Sequence, residues 1–262
     1  MAEKPITLSP SKVDCFQGCR RLYKYRYISK PFIPLENRYF LIGNVVHKAL
    51  ETIHREHLAS PIKKWGKAMS EHFKGAVATH NVYQKIKEEV ITKDDLFMMR
   101  SMLLNYLRYL RKSEALPQVV KVEELKKITI AGITVWLKAD RIDKAGKGAY
   151  RVIDYKSGRP SPKKDELESV QIPSYGMLVR QIIDKNAEVE GSYYYLKFMN
   201  KRSGVHNYKV TNEWMDKATA QYAKVYKELG SGSCEFRQNY KYKYCYFCDY
   251  KRHCLEDKNN GL

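Results

Sequence analysis

Apolar positions along this chain recur with two different periods, and the switch between them marks its organisation. Between residues 43 and 58, Val45, Val46, Ala49, Leu50 and Ile53 share one face at helical spacing. This predicts an amphipathic helix with His47 at the edge of its apolar stripe. Leu96, Met99, Leu103, Tyr106, Leu107 and Leu110 predict a second helix to about Lys112, with Asp94 or Asp95 as its cap. The Lys-rich stretch 59–93 is weakly patterned and is expected as helix with loops. In 118–142 and 150–157 the period falls to two, among Val, Ile, Tyr and Trp, as in strands. The intervening Asp143-Lys144-Ala145-Gly146-Lys147-Gly148 is a turn signal. A helix over about 170–184 tolerates Pro173 only in its first turn. Residues 189–198 and 205–210 read as another strand pair, and Thr211 or Asn212 caps a helix to about Leu229. Near the start, Thr7, Ser9 and Ser11 are candidate caps for a short helix carrying Val13, Phe16 and Cys19. Helices flanking a central strand cluster predict an α/β or α+β fold.

The hairpin around the turn signal brings chemistry together. Asp140 and Asp154 each lie seven residues from Lys147, so an unbulged antiparallel pairing makes them cross-strand neighbours. Alternation puts Lys156 on the same face as Asp154. Two opposed carboxylates repel, so one must be protonated or a cation must sit between them. Hard oxygen ligands of this kind suit Mg²⁺ or Mn²⁺. Such an ion activates water and steadies the leaving oxygen of a phosphodiester. A neighbouring lysine stabilises charge that develops on phosphate. An Asp-x-Lys pair taken alone is more often a solvated ion pair.

Charge and composition narrow the partners. The chain has 262 residues, 44% of them hydrophobic, enough for a folded core and against wholesale disorder. Its formal net charge of +19 attracts polyanions, nucleic acid first and an anionic membrane surface second. Arg21, Tyr23, Lys24 and Tyr25 interleave bases with rings, as does the stretch 240–244, a pattern suited to stacking on single strands. No apolar run of about 18 residues and no signal-like N-terminal run is present, which predicts an intracellular, cytoplasmic protein without a membrane span. The six cysteines then read as thiols or metal ligands before disulfides. Cys245-x2-Cys248-x5-Cys254 has metal-site spacing and needs a fourth ligand, for which Cys19, Cys15 and His253 are candidates.

Four motifs in order carry a family resemblance: Gly43-Asn44-Val45-Val46-His47, Asp140-Arg141-Ile142-Asp143, Asp154-Tyr155-Lys156-Ser157-Gly158 and Gln171-Ile172-Pro173-Ser174-Tyr175. Together with the cysteines, the chain resembles the PD-(D/E)XK nuclease superfamily. Within it, the similarity is to the branch holding the RecB nuclease domain, AddB and the four-cysteine exonucleases associated with CRISPR adaptation. The resemblance implies a restriction-endonuclease-like central mixed sheet flanked by helices, its terminal segments joined at a metal-cluster region. It implies metal ligation by His47, Asp140, Asp154 and the carbonyl of Tyr155, with Lys156 as the catalytic lysine. Gln171 and Tyr175, one helical turn apart, would orient the lysine and the DNA phosphate. Glu123 or Glu124 is a weaker candidate to assist from the preceding strand. Cys19, Cys245, Cys248 and Cys254 would hold a [4Fe–4S] cluster, with Zn²⁺ as the rival metal, and Cys234 would be a spare thiol.

The resulting reading is a single nuclease domain over 1–262, with a helical insertion at 40–115, a catalytic sheet at 116–210 and a cysteine-cluster region at 1–30 plus 230–262. The expected activity is metal-dependent DNA hydrolysis, on single strands or free ends, in repair, recombination or CRISPR adaptation. No G-x-x-x-x-G-K-[ST] loop occurs, so no ATPase motor is recognisable, and a helicase or integration complex would supply substrate in trans. The competing expectation is a non-catalytic, zinc-stabilised nucleic-acid-binding module. RNA as substrate is not separated from DNA by these residues.

Overall fold

The computed structural model describes residues 6–31, 37–56, 61–112, 117–239, 245 and 248–259, with Lys258 and Asn259 by backbone alone. Five strands form one mixed sheet in the order β1-β2-β3-β4-β5: β1 (Val119–Ile130), β2 (Ile133–Gly146), β3 (Ala149–Lys156), β4 (Glu188–Tyr195) and β5 (Val205–Lys209). β1, β2 and β3 make an antiparallel meander, β3 and β4 run parallel, and β5 closes antiparallel. The stretch 118–142 thus divides into two strands. Ala131 and Gly132, both at positive φ (50° and 75°), turn the chain between paired Ile130 and Ile133. Two positive-φ central residues match the twist of a two-residue hairpin.

The parallel step from β3 to β4 needs a crossover, and α7 (Lys163–Glu168) and α8 (Gln171–Ile182) supply it. A Cβ on Gly191 in β4 would lie 2.2 Å from Ile172 Cγ2, so only glycine lets α8 seat this close to the sheet. Pro173 falls in the first turn of α8, where its missing N–H costs nothing.

Neighbouring residues of β3 feed opposite cores. Val152 joins Val135, Leu137, Leu178 and Tyr222 beneath α1 (Pro10–Gly18), α8 and α9 (Asn212–Gly230). Ile153 and Tyr155 join Val46, Leu50, Met99 and Leu103 on the other face. That face is covered by α3 (Arg38–Glu56), α4 (Trp65–Thr79), α5 (Val82–Lys87) and α6 (Lys93–Lys112). α3 begins at Arg38, before the residue at which its apolar stripe starts. The cap of α6 is Thr92, not Asp94 or Asp95. Its hydroxyl accepts from Asp95 N at 3.3 Å, while Asp95 Oδ2 accepts from Thr92 N at 2.8 Å, a reciprocal capping box. Arg38 donates to the same Asp95 carboxylate at 2.8 Å and ties the start of α3 to the start of α6.

Ser9 caps α1 by accepting from Lys12 N at 3.3 Å, and Thr211 caps α9 by accepting from Trp214 N at 3.2 Å. Helix α2 (Arg20–Tyr23) runs into a π-helical turn, Lys24–Ser29. The two ends of the chain meet: Arg21 N donates to Arg237 O at 3.2 Å, and Asn239 Nδ2 to Gly18 O at 2.8 Å. A last helix, α10 (Lys251–Asn259), packs at this junction through Gln238, which donates to Cys254 O at 2.9 Å. Among the described residues no helix is long and apolar enough to cross a membrane.

Candidate active site

The β2–β3 ladder runs from Gly146↔Ala149 to Arg141↔Ile153. Its bulge, between Lys144 and Gly146, lies on the turn side. Asp140 and Asp154 stand one step beyond Arg141 and Ile153, on the register counted from Lys147. There the strands part. The Tyr155 amide, which has no ladder acceptor at this point, donates to Asp140 Oδ2 at 2.7 Å. The Tyr155 carbonyl lies 3.0 Å from His47 Nε2, and the other ring nitrogen, Nδ1, lies 3.3 Å from Asp140 Oδ1. Helix α3 delivers His47 from the edge of its buried stripe onto the sheet, with its side chain 28% exposed.

Glu123 joins this group. Val122↔Arg141 and Glu124↔Ala139 bracket it directly opposite Asp140. Its φ of 48° is left-handed, which is rare for a non-glycine residue inside a strand and costs about 1–3 kcal/mol. The strained backbone turns its carboxylate inward, 3.6 Å from His47 Nδ1 and paired with Lys138. Glu124 instead pairs with Lys121 (3.2 Å) and Lys126 (2.6 Å). His47, Glu123 and Asp140 each offer one ligand atom, all within 4.8 Å of one another. This imidazole–carboxylate set, with the Tyr155 carbonyl beside it, suits a divalent ion with oxygen preference.

Asp154 occupies the other half of the site. Its Oδ1 accepts from Gln171 Nε2 at 2.7 Å, and its Oδ2 forms a 2.7 Å ion pair with Lys156 Nζ. Lys156 Nζ also donates to Gln171 Oε1 at 2.9 Å and stands over the Tyr193 ring at 5.0 Å. Gln171 Nε2 further donates to Tyr175 OH at 3.1 Å, and that hydroxyl donates to the Lys138 carbonyl at 3.0 Å. The first turn of α8 therefore holds the lysine and its carboxylate in one geometry. The structure brings His47, Asp140, Asp154, Tyr155, Lys156, Gln171 and Tyr175 together, and places Glu123 in the close ligand trio while Asp154 faces Lys156 and Gln171.

The two carboxylates are driven apart electrostatically. Burial pushes the Asp154 carboxyl up, Lys156 opposes this, and the Asp140 charge adds to it. Asp140 is buried too, but His47 and the Tyr155 amide hold it below the usual carboxylate range. Burial works against charge on His47, yet Asp140 and Glu123 outweigh it and raise its pKa to about 10. Burial likewise opposes charge on Lys156, and Asp154 more than compensates, so the ammonium stays protonated. Each aspartate is thus matched by a cation of the protein's own.

Beneath the site lies a buried network that the sequence pattern does not disclose. Arg141 forms a 2.9 Å ion pair with Asp143 and donates to Tyr155 OH and His54 Nε2, each at 2.8 Å, and to Tyr106 OH. Burial and the adjacent Arg141 keep His54 well below its ordinary pKa. The network anchors the side chain of the residue whose backbone serves the site. Tyr106 sits in the apolar stripe of α6, and only the tertiary fold brings its hydroxyl to a strand arginine.

The residues read as a nucleic-acid surface behave differently. Tyr23 and Tyr25 are 4% and 3% exposed and cannot stack on a strand. Tyr23 packs edge-on against Phe16 at 5.2 Å, and Tyr25 stacks on Tyr250 at 5.6 Å and donates to Asp257. Arg21 donates to Phe236 O at 2.9 Å and pairs with Asp257 at 3.4 Å, and Lys24 is half-buried. The reason is the junction of the chain ends, which uses these rings as its core. The stretch 240–244 lies outside the described residues. At the same junction Cys19, Cys245, Cys248 and Cys254 line one cavity of about 80 Å³, walled also by Leu22, Tyr25, Tyr250 and Leu255. No disulfide joins any of the six cysteines. Burial pushes the Cys248 and Cys254 thiols up, and that of Cys15, in the α1 core, to about 12. His253 faces the Tyr25 ring at 4.9 Å and Asp257 at 3.8 Å.

The family model of the PD-(D/E)XK nuclease superfamily matches residues 7–255. Among solved structures, a candidate exonuclease from Eubacterium rectale shares the fold over 94% of this chain and 87% of its own, with a TM-score of 0.56 at 14% identity. The structure of SSO0001 covers 97% of this chain and 88% of its own at 13% identity, with a TM-score of 0.39. No curated protein matches the chain.

Proposed function

This chain belongs to the PD-(D/E)XK nuclease superfamily, and from that premise we propose that it is a divalent-metal-dependent DNA exonuclease acting on single strands or strand ends. The observation that carries this reading is Lys156, held charged between Asp154 and Gln171 beside the His47, Glu123 and Asp140 trio. His47, on giving up its ring proton to become a ligand, would hold Mg²⁺ or Mn²⁺ together with Asp140, Glu123 and the Tyr155 carbonyl, with Asp154 completing the set. When bound, that ion supplies neutralisation of the phosphate and activation of a water for in-line attack. Lys156 aligns the water and stabilises the charge developing on phosphate. Gln171 keeps the lysine from folding onto Asp154 alone, and Tyr175 fixes Gln171. The buried Arg141 network keeps Tyr155 from shifting.

The four-cysteine cavity supports membership in the RecB- and AddB-like branch, with a [4Fe–4S] cluster as its occupant. Four thiols around a small apolar cavity fit such a cluster and fit Zn²⁺ as well. Its role in this reading is to clamp the chain ends. A purely binding module stabilised by zinc would use this cavity, but it would have no use for a strained Glu123 and an aligned Lys156. The test is cleavage of end-labelled single-stranded and duplex DNA by anaerobically purified protein with Mg²⁺, Mn²⁺ or EDTA, beside Asp154→Ala. Metal-dependent products that shorten from one end and vanish in the variant support the reading. Tight binding without cleavage under any metal overturns it.

A further inference from the structure

Two clefts of about 430 Å³ each open beside the carboxylates, and their linings differ in charge. The cleft on the Lys156 side is walled by Asp14, Asp165, Glu166 and Glu168 beside Lys156, a net negative lining that disfavours a long run of phosphates. In the cleft on the His47 side Lys48 and Lys138 are balanced by Glu51 and Glu123, and Tyr39 and Phe40 line it as well. The second cleft is the less acidic of the two and opens directly on Asp140, which makes it the better seat for a strand with its phosphate there.

Tyr39 and Phe40 are consecutive residues in the first turn of α3, 65% and 59% exposed. The core beneath α3 starts only after them, with Leu41 and Ile42, so neither ring is needed for packing. Their backbone is nonetheless fixed, since Tyr39 N donates to Asn37 Oδ1 at 2.8 Å and Arg38 is anchored on Asp95. Two rigidly mounted rings in contact with water, beside a phosphate-handling site, are costly to expose and well placed to receive a flat apolar ligand. Inside a duplex each base face is already covered by its neighbours. Apart from the outer face of a terminal pair, only an unpaired base offers a face to a protein ring, and every base has one, so such contacts are tolerant of sequence.

We infer that Tyr39 and Phe40 form a stacking site for an unpaired DNA base flanking the scissile phosphate, and that this site makes the enzyme prefer single-stranded or frayed substrate. The inference rests on the nuclease reading of the adjoining carboxylates. It assigns the base-reading aromatics to α3, where the sequence pattern had pointed to Tyr23 and Tyr25.

The test is binding of fluorescent oligonucleotides in EDTA, followed by anisotropy, for the wild type, the Tyr39→Ala/Phe40→Ala double variant, and Tyr83→Ala. Tyr83 is equally exposed, at 65%, and is not in the wall of this cleft. Three ligands are compared: a single strand, the same length of wholly abasic strand, and a blunt duplex. The double variant is expected to bind the single strand roughly tenfold or more weakly, with abasic and duplex affinities little changed. Tyr39→Phe/Phe40→Tyr restores binding, and Tyr83→Ala leaves it unaltered. Circular dichroism and thermal melting of the double variant match the wild type, because both side chains lie outside the core. Unchanged single-strand affinity in the double variant overturns the inference, as does an equal loss on the abasic strand. A parallel cleavage assay with Mn²⁺ and Asp154→Ala separates the two readings. Base-dependent binding without any cleavage leaves the stacking site standing and removes the nuclease. Cleavage without base dependence does the reverse.

Discussion

The Tyr155 amide and the Asp140 carboxylate are joined by a 2.7 Å hydrogen bond, one step past the last paired residues of β2 and β3. The carboxylate stands in for a strand carbonyl, so Asp140 has a structural duty as well as a chemical one. Its Oδ2 closes the sheet, and its Oδ1 faces His47. Asparagine can still accept from the Tyr155 amide, whereas alanine leaves that buried N–H without a partner. An unsatisfied buried donor costs about 1–3 kcal/mol. Asp140→Ala is therefore expected to be less stable than Asp140→Asn by about that amount in urea denaturation, while both lose cleavage. Equal stabilities would show that the amide finds another acceptor.

Adjacent glutamates on β1 separate into different roles. Glu123 reaches His47 and Lys138, and Glu124 reaches Lys121 and Lys126 on the other side of the strand. Glu123→Gln is expected to weaken Mn²⁺ binding, read by calorimetry, by about tenfold to a hundredfold, the range seen when a supporting group of a metal site is removed. Glu124→Gln leaves it near wild type. The reverse ranking would mean that the strained backbone at Glu123 serves packing rather than the site.

Lys156 and Gln171 are coupled by their 2.9 Å hydrogen bond, but only the lysine carries charge. Lys156→Ala is expected to lower the cleavage rate by about 10²–10³. Gln171→Ala loses less, because Asp154 still pairs with the lysine. Both act on turnover and leave DNA affinity largely intact. A loss in affinity of the same size as the loss in rate would assign these residues to substrate binding instead.

Much of this site is legible because it rests on local arithmetic. The distance of Asp140 and Asp154 from Lys147 fixes their opposition once the hairpin exists, and the i, i+4 spacing of Gln171 and Tyr175 fixes their shared face. The bulge between Lys144 and Gly146 leaves that arithmetic intact, since it is absorbed near the turn. What the pattern conceals is tertiary. Tyr25 has the same sequence surroundings whether it stacks on DNA or on Tyr250, and only the meeting of the chain ends decides. Thr92 is a weaker-looking cap than Asp94 or Asp95, yet Asp95 is buried against Arg38 and acts as the reciprocal partner. The Arg141, His54 and Tyr106 network joins three elements far apart in sequence and has no local signature.

Asp95 gives a stability signal in acid. Burial opposes its charge, but Arg38 and the Thr92 amide hold its pKa below the ordinary 3.8. A depressed folded-state pKa contributes stability that is complete above the unfolded value and is lost as pH falls through the folded one. Arg38 is 48% exposed, so solvent screens its share and the capping bonds dominate. Asp95→Asn is expected to cost about 0.5–2 kcal/mol near neutral pH. The gap to wild type, followed by thermal melting, then narrows below about pH 3.8. A gap independent of pH would assign the loss to shape rather than charge.

The cysteine cavity and the active site share a mechanical path, which makes the proposed cluster testable through the nuclease. Asp14 on α1 accepts from Ser169 Oγ at 2.7 Å and from Val170 N at 3.3 Å, immediately before Gln171. Cys19 lies directly beyond the end of the same helix, its amide bonded to Cys15 O at 2.9 Å. Losing the proposed metal centre at Cys19 would free that end of α1 and loosen the seat of Gln171. Cys248→Ser is expected to lose bound iron and acid-labile sulfide, to melt at lower temperature, and to cut more slowly although Lys156 is intact. Cys15→Ser and Cys234→Ser, whose thiols stand outside the cavity wall, keep the metal. Zinc without sulfide in the wild type would replace the cluster with a four-thiolate site and preserve the mechanical argument. Full metal content in Cys248→Ser would remove the cavity from the account.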